Sequence, residues 1–219
     1  MSINGLFVTF EGGEASGKST QSRLLERFLK REGYEVSRLV EPGTTSLGRQ
    51  IRRMVKYSPE PIVAEAEAFL FMAARSQLVR SSITPVLRRS GVVICDRYLD
   101  STVAYQGYGR GIDLDFLGGC NRLATNGVIP SLTVLLDLSP VVAASRRSPV
   151  KGDRFDREFD NDGEGPGDLG FHDRVRQGYL TMAKDDPERW LVMDADQPSR
   201  VIAARIRIRV SSMLSDISG

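Results

Sequence analysis

The sequence predicts an α/β fold, a parallel β-sheet flanked by helices on both faces, and three observations carry that expectation. Short apolar runs rich in Val, Ile and Leu and without alternation, Leu6 to Phe10, Val92 to Cys95 and Leu132 to Leu138, read as strands buried on both sides. Segments of helical period separate and follow them. Strand and helix therefore alternate, which implies right-handed crossovers that lay helices on each face of the sheet. At 219 residues the chain can build one substantial core, so a single domain over 1–219 is expected.

The first strand runs into Gly12-Gly13-Glu14-Ala15-Ser16-Gly17-Lys18-Ser19, which satisfies G-x-x-x-x-G-K-[ST] between a strand and a helix. Glycines let backbone N–H groups point inward around a polyphosphate, and the helix that follows adds the positive end of its dipole. Residues Gly12 to Thr20 are thus expected to hold ATP, with Lys18 at the terminal phosphates and the Ser19 hydroxyl on Mg²⁺. The next helix, Thr20 to Arg31, places Leu24, Leu25, Phe28 and Leu29 on one stripe and stops at Gly33. A longer helix is expected over Glu65 to Leu87, with Phe69, Met72, Ala73 and Leu78 recurring at helical spacing.

The second aliphatic strand leads to Asp96-Arg97-Tyr98 at the carboxyl edge, where ligands of open α/β sheets bind. Asp96 is the favoured second carboxylate for a metal; Asp137, in "VLLDL", is its rival, and position in the sequence does not choose between them. Arg97 beside it has the planar fork that grips a phosphate, or it makes an ordinary salt bridge. Ser148 to Gly170 is charged, glycine-bearing and nearly free of aliphatics, so a mobile surface lobe or a partly disordered loop is expected there. "VIAARIRIRVSSML" is a further amphipathic helix.

Composition narrows the function. With 41% hydrophobic and 26% charged residues, and no apolar stretch near the roughly 18 to 20 residues of a membrane span, no membrane association is expected. Residues 1–10 have no basic n-region, so the expected location is cytoplasmic. A net charge of +2 argues against a nucleic-acid partner. Cys95 and Cys120 lack metal-ligand spacing and read as reduced structural thiols, and the lone His172 as a helix-start residue. No Asn-Lys-x-Asp guanine reader occurs, and the chain is short for a motor or helicase ATPase. A small kinase with a small-molecule acceptor remains.

Over nearly its whole length the chain resembles bacterial thymidylate kinase (dTMP kinase), through "FEGGEASGKST", "EPGTTSLGRQIR", "FLFMAARSQLV", "DRYLDSTVAYQGYGRGI", "PSLTVLLDL" and "DADQP". The resemblance implies a P-loop nucleoside monophosphate kinase-like fold with a mobile lid, here about 146–170. It implies transfer of phosphate from ATP to dTMP with Mg²⁺, and a homodimer. It also implies roles: Glu14 near the sugar 3′-hydroxyl, Arg52 and Arg97 on the dTMP phosphate, and Phe71 stacked on thymine. Arg75 would address the base, Thr102 and Gln106 its edge, and Tyr105 the 2′ position. One kind of the family carries a basic residue inside the P-loop; Gly13 to Ser16 has none, so this chain is similar to the kind whose lid supplies the catalytic arginine. Arg154 in "KGDRFD" fits best, with Lys151, Arg147 and Arg157 as neighbours able to substitute. Two departures stand out. Thr44 replaces a more usual glycine in "EPGTT", and the segment after Asp156 is longer than expected of a lid. The alternatives are a related kinase with another acceptor and a regulatory nucleotide-binding protein that turns ATP over poorly.

Overall fold

The computed structural model describes residues 4–146 and 169–218. Five strands, β1 (Leu6–Glu11), β2 (Val36–Val40), β3 (Val92–Asp96), β4 (Leu132–Asp137) and β5 (Trp190–Asp194), form one parallel sheet in the order β2-β3-β1-β4-β5. The three expected strands are present. The sequence reading passed over β2 and β5 because they lie at the sheet's two edges and lack a continuous buried run; Arg38 and Val40 are exposed, and in β5 so are Val192 and Asp194. The chain leaves β1 toward β2 on one side and β3 toward β4 on the other, so the two connections diverge above the carboxyl ends of these neighbouring strands. That is the position of a ligand crevice in open α/β sheets.

Alternate residues of β1 feed opposite layers. Leu6, Val8 and Phe10 pack with Leu25 and Leu29 of α1 (Lys18–Arg31) and with Ile202, Ile206 and Val210 of the last helix. Phe7 packs the other way, against Leu78, Val79, Ile83, Val93 and Tyr98. Each such side chain removed from water contributes about 1.5 to 3 kcal/mol before chain entropy is counted. The layers around the sheet are α1, α2 (Ser46–Tyr57), α3 (Ala64–Leu78), α4 (Thr84–Leu87), α5 (Leu99–Thr102), α6 (Leu114–Thr125), α7 (Pro140–Arg146), α8 (Leu169–Asp185) and α9 (Ser199–Ser218).

The long helix expected over Glu65 to Leu87 is α3 and α4 joined by a π-helical turn, Val79–Ile83; a second π-helical segment, Val103–Gly109, continues α5. Such turns widen a helix locally and are frequent at functional sites. On α3, Met72 and Leu78 face the core, whereas Phe69 is 54% exposed and Ala73 is exposed too. Thr44 has no positive φ, so the turn there does not need glycine. Its hydroxyl accepts from the Val40 N–H at 2.8 Å and donates to the Val40 carbonyl at 3.1 Å, pairing backbone groups of an edge strand.

Candidate active site

The P-loop grows from the sheet. β1 ends at Glu11, and Gly12 (φ 130°), Ala15 (φ 53°) and Gly17 (φ 92°) turn the chain through left-handed conformations into α1. At Gly12 a Cβ would lie 2.4 Å from the Leu136 carbonyl, so strand and loop approach as closely as backbone allows. Lys18 folds over the loop and donates to the carbonyls of Gly12 at 3.0 Å and Gly13 at 2.6 Å. Burial, and then Arg97, push its amine down to about 8, against the pull of Glu14, Asp96 and Glu11. The amine sits over the loop's own carbonyls, within the stretch the motif assigns to phosphate.

The tertiary structure separates the two rival carboxylates. Asp96 accepts a hydrogen bond from the Ser19 hydroxyl at 2.7 Å. Asp137 instead holds Arg176 of α8 through two contacts of 2.7 and 2.9 Å. Ser19 and Asp96 are hard oxygen donors side by side at the loop, a set that suits Mg²⁺, which is commonly held by one or two protein oxygens plus phosphate and water. Among the described residues no cluster of three or more His, Cys, Asp or Glu forms an all-protein metal cage.

Arg97 follows Asp96 with φ 67°, an uncommon conformation for a non-glycine residue that turns its side chain off the strand end. Its guanidinium donates to Tyr105 Oη at 2.9 Å, Ser101 Oγ at 3.1 Å and Tyr179 Oη at 3.4 Å, and lies 4.8 Å from the Tyr105 ring centre. Glu14 approaches it at 3.5 Å. Gly12, Gly13, Glu14, Asp137, Arg176 and Tyr179 line a shallow cleft between the P-loop and α8. The arrangement sets a glycine-turned loop with its buried lysine, a hydroxyl–carboxylate pair and a second cation at the carboxyl edge of the sheet.

This constellation has close relatives. A family model described as thymidylate kinase matches residues 10–206. The chain belongs to the thymidylate kinase family. It is 44% identical over 210 residues to a thymidylate kinase of Dehalococcoides mccartyi, covering 95% of this chain and 97% of that one. A Clavibacter sepedonicus thymidylate kinase is 43% identical over 213 residues, covering 97% and 98%. Among solved structures, thymidylate kinase from Ehrlichia chaffeensis superposes with a TM-score of 0.73 at 32% identity, over 94% of this chain and 98% of that one.

Against the thymidylate kinase expectation, the residues assigned to dTMP fall into two groups. Arg52 is exposed on α2 and donates to the Pro42 carbonyl at 3.3 Å, beside the end of β2, whose Glu41 N–H bonds the Asp96 carbonyl. It thus shares the carboxyl edge with Arg97. Phe71 is half-buried on α3 against Ile51, Val55 and Ala74. Arg75, one turn on, is 1% exposed: it pairs with Glu41 and donates to Thr102 Oγ1 at 2.9 Å, the Tyr98 carbonyl at 3.1 Å and Asn121. Gln106 donates to Glu67 at 2.8 Å, and Glu67 also pairs with Arg110. Arg75 and Thr102 form one buried hydrogen-bonded group and Gln106 with Glu67 another, while the rings of Phe71 and Tyr105 stay partly exposed.

Arg154, Lys151, Arg147 and Arg157, the basic residues of the expected lid, lie outside the described residues; Arg146 ends α7 and Leu169 opens α8 on either side. Sequence reasoning missed Glu11, Ser101, Tyr179 and Glu67. The only local signal for the first was an acidic residue closing a mostly apolar strand. Burial, and then the Asp100 charge, raise the Glu11 carboxyl to about 7, against Arg97 and the hydrogen bonds of Ser101 and Tyr179. Cys95 and Cys120 are both free thiols, and no described helix is long and apolar enough to cross a membrane.

Proposed function

We propose that this single kinase domain transfers the γ-phosphoryl group of ATP to a phosphate oxygen of dTMP, giving ADP and dTDP. The observation that carries the reading is the Lys18, Ser19 and Asp96 cradle set beside an independently anchored Arg97, in a chain of the thymidylate kinase family. Two anions need two separate cationic seats, and in this reading Lys18 and Arg97 are those seats.

Residues Gly12 to Thr20 wrap the ATP phosphates with backbone N–H groups, and Lys18 leaves its loop carbonyls for the terminal phosphates. Ser19 and Asp96 hold Mg²⁺, which when bound neutralises charge on the phosphates. Arg97 and Arg52 clamp the acceptor phosphate, holding its oxygen in line with the donor. Thymine lies on Phe71 with its polar edge toward Arg75, Thr102 and Gln106, while Tyr105 crowds a 2′-hydroxyl and Glu14 faces the 3′-hydroxyl. Arg154 is the proposed further cation on the transferring group. The chain works as a homodimer in this reading; Phe69 packs edge-on against Phe116 at 6.2 Å, and both remain about half exposed on α3 and α6.

A coupled assay of ADP release against dTMP, dUMP and UMP tests the acceptor. The specificity constant should fall in that order, with the 5-methyl group worth about 1 to 3 kcal/mol. Equal constants for dTMP and UMP would refute the assignment.

A further inference from the structure

Glu11 closes β1 beneath the P-loop and is fully buried, yet none of the roles above uses it. Its Oε1 accepts the Tyr98 backbone N–H at 2.8 Å, while its Oε2 accepts the hydroxyl protons of Ser101 at 2.6 Å and Tyr179 at 2.7 Å. The same two hydroxyl oxygens contact Arg97 Nη1 at 3.1 and 3.4 Å. A hydroxyl has one proton and two lone pairs. The two hydroxyl oxygens also lie 3.0 Å apart, where either can donate to the other; when the carboxylate takes both protons, only lone pairs are left to face the guanidinium. The groups come from β1, the end of β3, α5 and α8, so their convergence is a product of the fold. On its other side Arg97 is held by the Tyr105 hydroxyl and ring.

We infer that Glu11 is a positioning residue for Arg97: in its ionised form it takes the Ser101 and Tyr179 protons, makes both hydroxyls acceptors and fixes the guanidinium where an acceptor phosphate meets it. This deepens the reading of Arg97 as a phosphate clamp and rests on it. A carboxylate satisfies all three donors at once; an amide in its place brings an N–H₂ group that faces either the Tyr98 N–H or the two hydroxyls, and either way at least one of the three donors loses its acceptor.

The test is Glu11→Gln in the full chain, read by calorimetric binding of dTMP and by steady-state kinetics, alone and combined with Arg97→Ala. Glu11→Gln should weaken dTMP binding and raise its KM about tenfold, the loss typical of one hydrogen bond to a charged group, while KM for ATP stays within about twofold. On the Arg97→Ala background the same change should cost nothing further within about twofold, because both act through one contact. Additive losses, or a rise in KM for ATP equal to that for dTMP, would overturn the inference in favour of a general structural role. If Glu11→Gln does not fold, Tyr179→Phe and Ser101→Ala each remove one acceptor; both should weaken dTMP binding and both should be silent on Arg97→Ala. Silence of both in the otherwise wild-type chain would overturn it equally. Binding is first measured with dTMP, dUMP and UMP. Preference for another monophosphate corrects the acceptor and leaves the cycle to be read on that ligand, whereas binding of none overturns both readings.

Discussion

Replacing Arg189 by methionine removes one half of a largely buried ion pair that holds α5 in place. Arg189 contacts the two oxygens of Asp100 at 2.8 and 3.1 Å and Thr133 Oγ1 at 2.9 Å. Asp100 also accepts from the Thr133 hydroxyl at 3.0 Å, which ties α5 to β4. The Asp100 side chain is 2% exposed and that of Arg189 18%, so the variant leaves a carboxylate stranded away from water. Removing one partner of such a pair costs about 3 to 5 kcal/mol, and the partial exposure of Arg189 points to the lower end. The contact with Asp186, itself 49% exposed, adds only a few tenths, roughly, and the methionine stem still covers the Trp190 ring. At about 2 to 4 °C per kcal/mol for a chain of this size, Tm should fall by about 6 to 12 °C. Adding Asp100→Asn removes the stranded charge, so the double variant should recover about half of the loss. Urea and thermal unfolding of the four proteins would measure this. A loss below about 1 kcal/mol, or a double variant that loses the sum of the two single losses, would refute the argument that an orphaned charge is what hurts.

Three further outcomes concern activity. Lys18→Ala should reduce turnover by at least about a hundredfold while Tm stays near that of the parent, since the buried amine is held at a cost that its removal relieves; near-normal turnover by a folded variant would end its phosphate role. Ser19→Ala should raise the Mg²⁺ concentration for half-maximal activity several-fold, roughly, with Asp137→Asn as the unresponsive comparison, measured by titrating Mg²⁺ at saturating ATP. Arg154→Ala should lower kcat and kcat/KM by similar factors, on the order of a thousandfold, with KM for ATP almost unchanged; a rise in KM alone would make it a ground-state clamp.

What consecutive residues encode was legible in the sequence. A strand, a glycine turn and a helix start within fifteen residues suffice to specify the P-loop, because backbone φ and N–H direction are local properties. The three central strands were legible for a similar reason: burial on both faces demands an unbroken aliphatic run. The edge strands β2 and β5 carry no such demand, so their pattern was mute until partners on the sheet were known. The different partners of Asp96 and Asp137 needed the fold, since both end parallel strands and only the tertiary structure brings the Ser19 hydroxyl to one and Arg176 to the other. The same holds for the seam of Arg75, Glu41 and Thr102, and most of all for Glu11. Its partners Ser101 and Tyr179 lie 90 and 168 residues away in the chain, and a proton's direction in a hydroxyl depends on which atoms surround it, something only the packed sheet and helices decide.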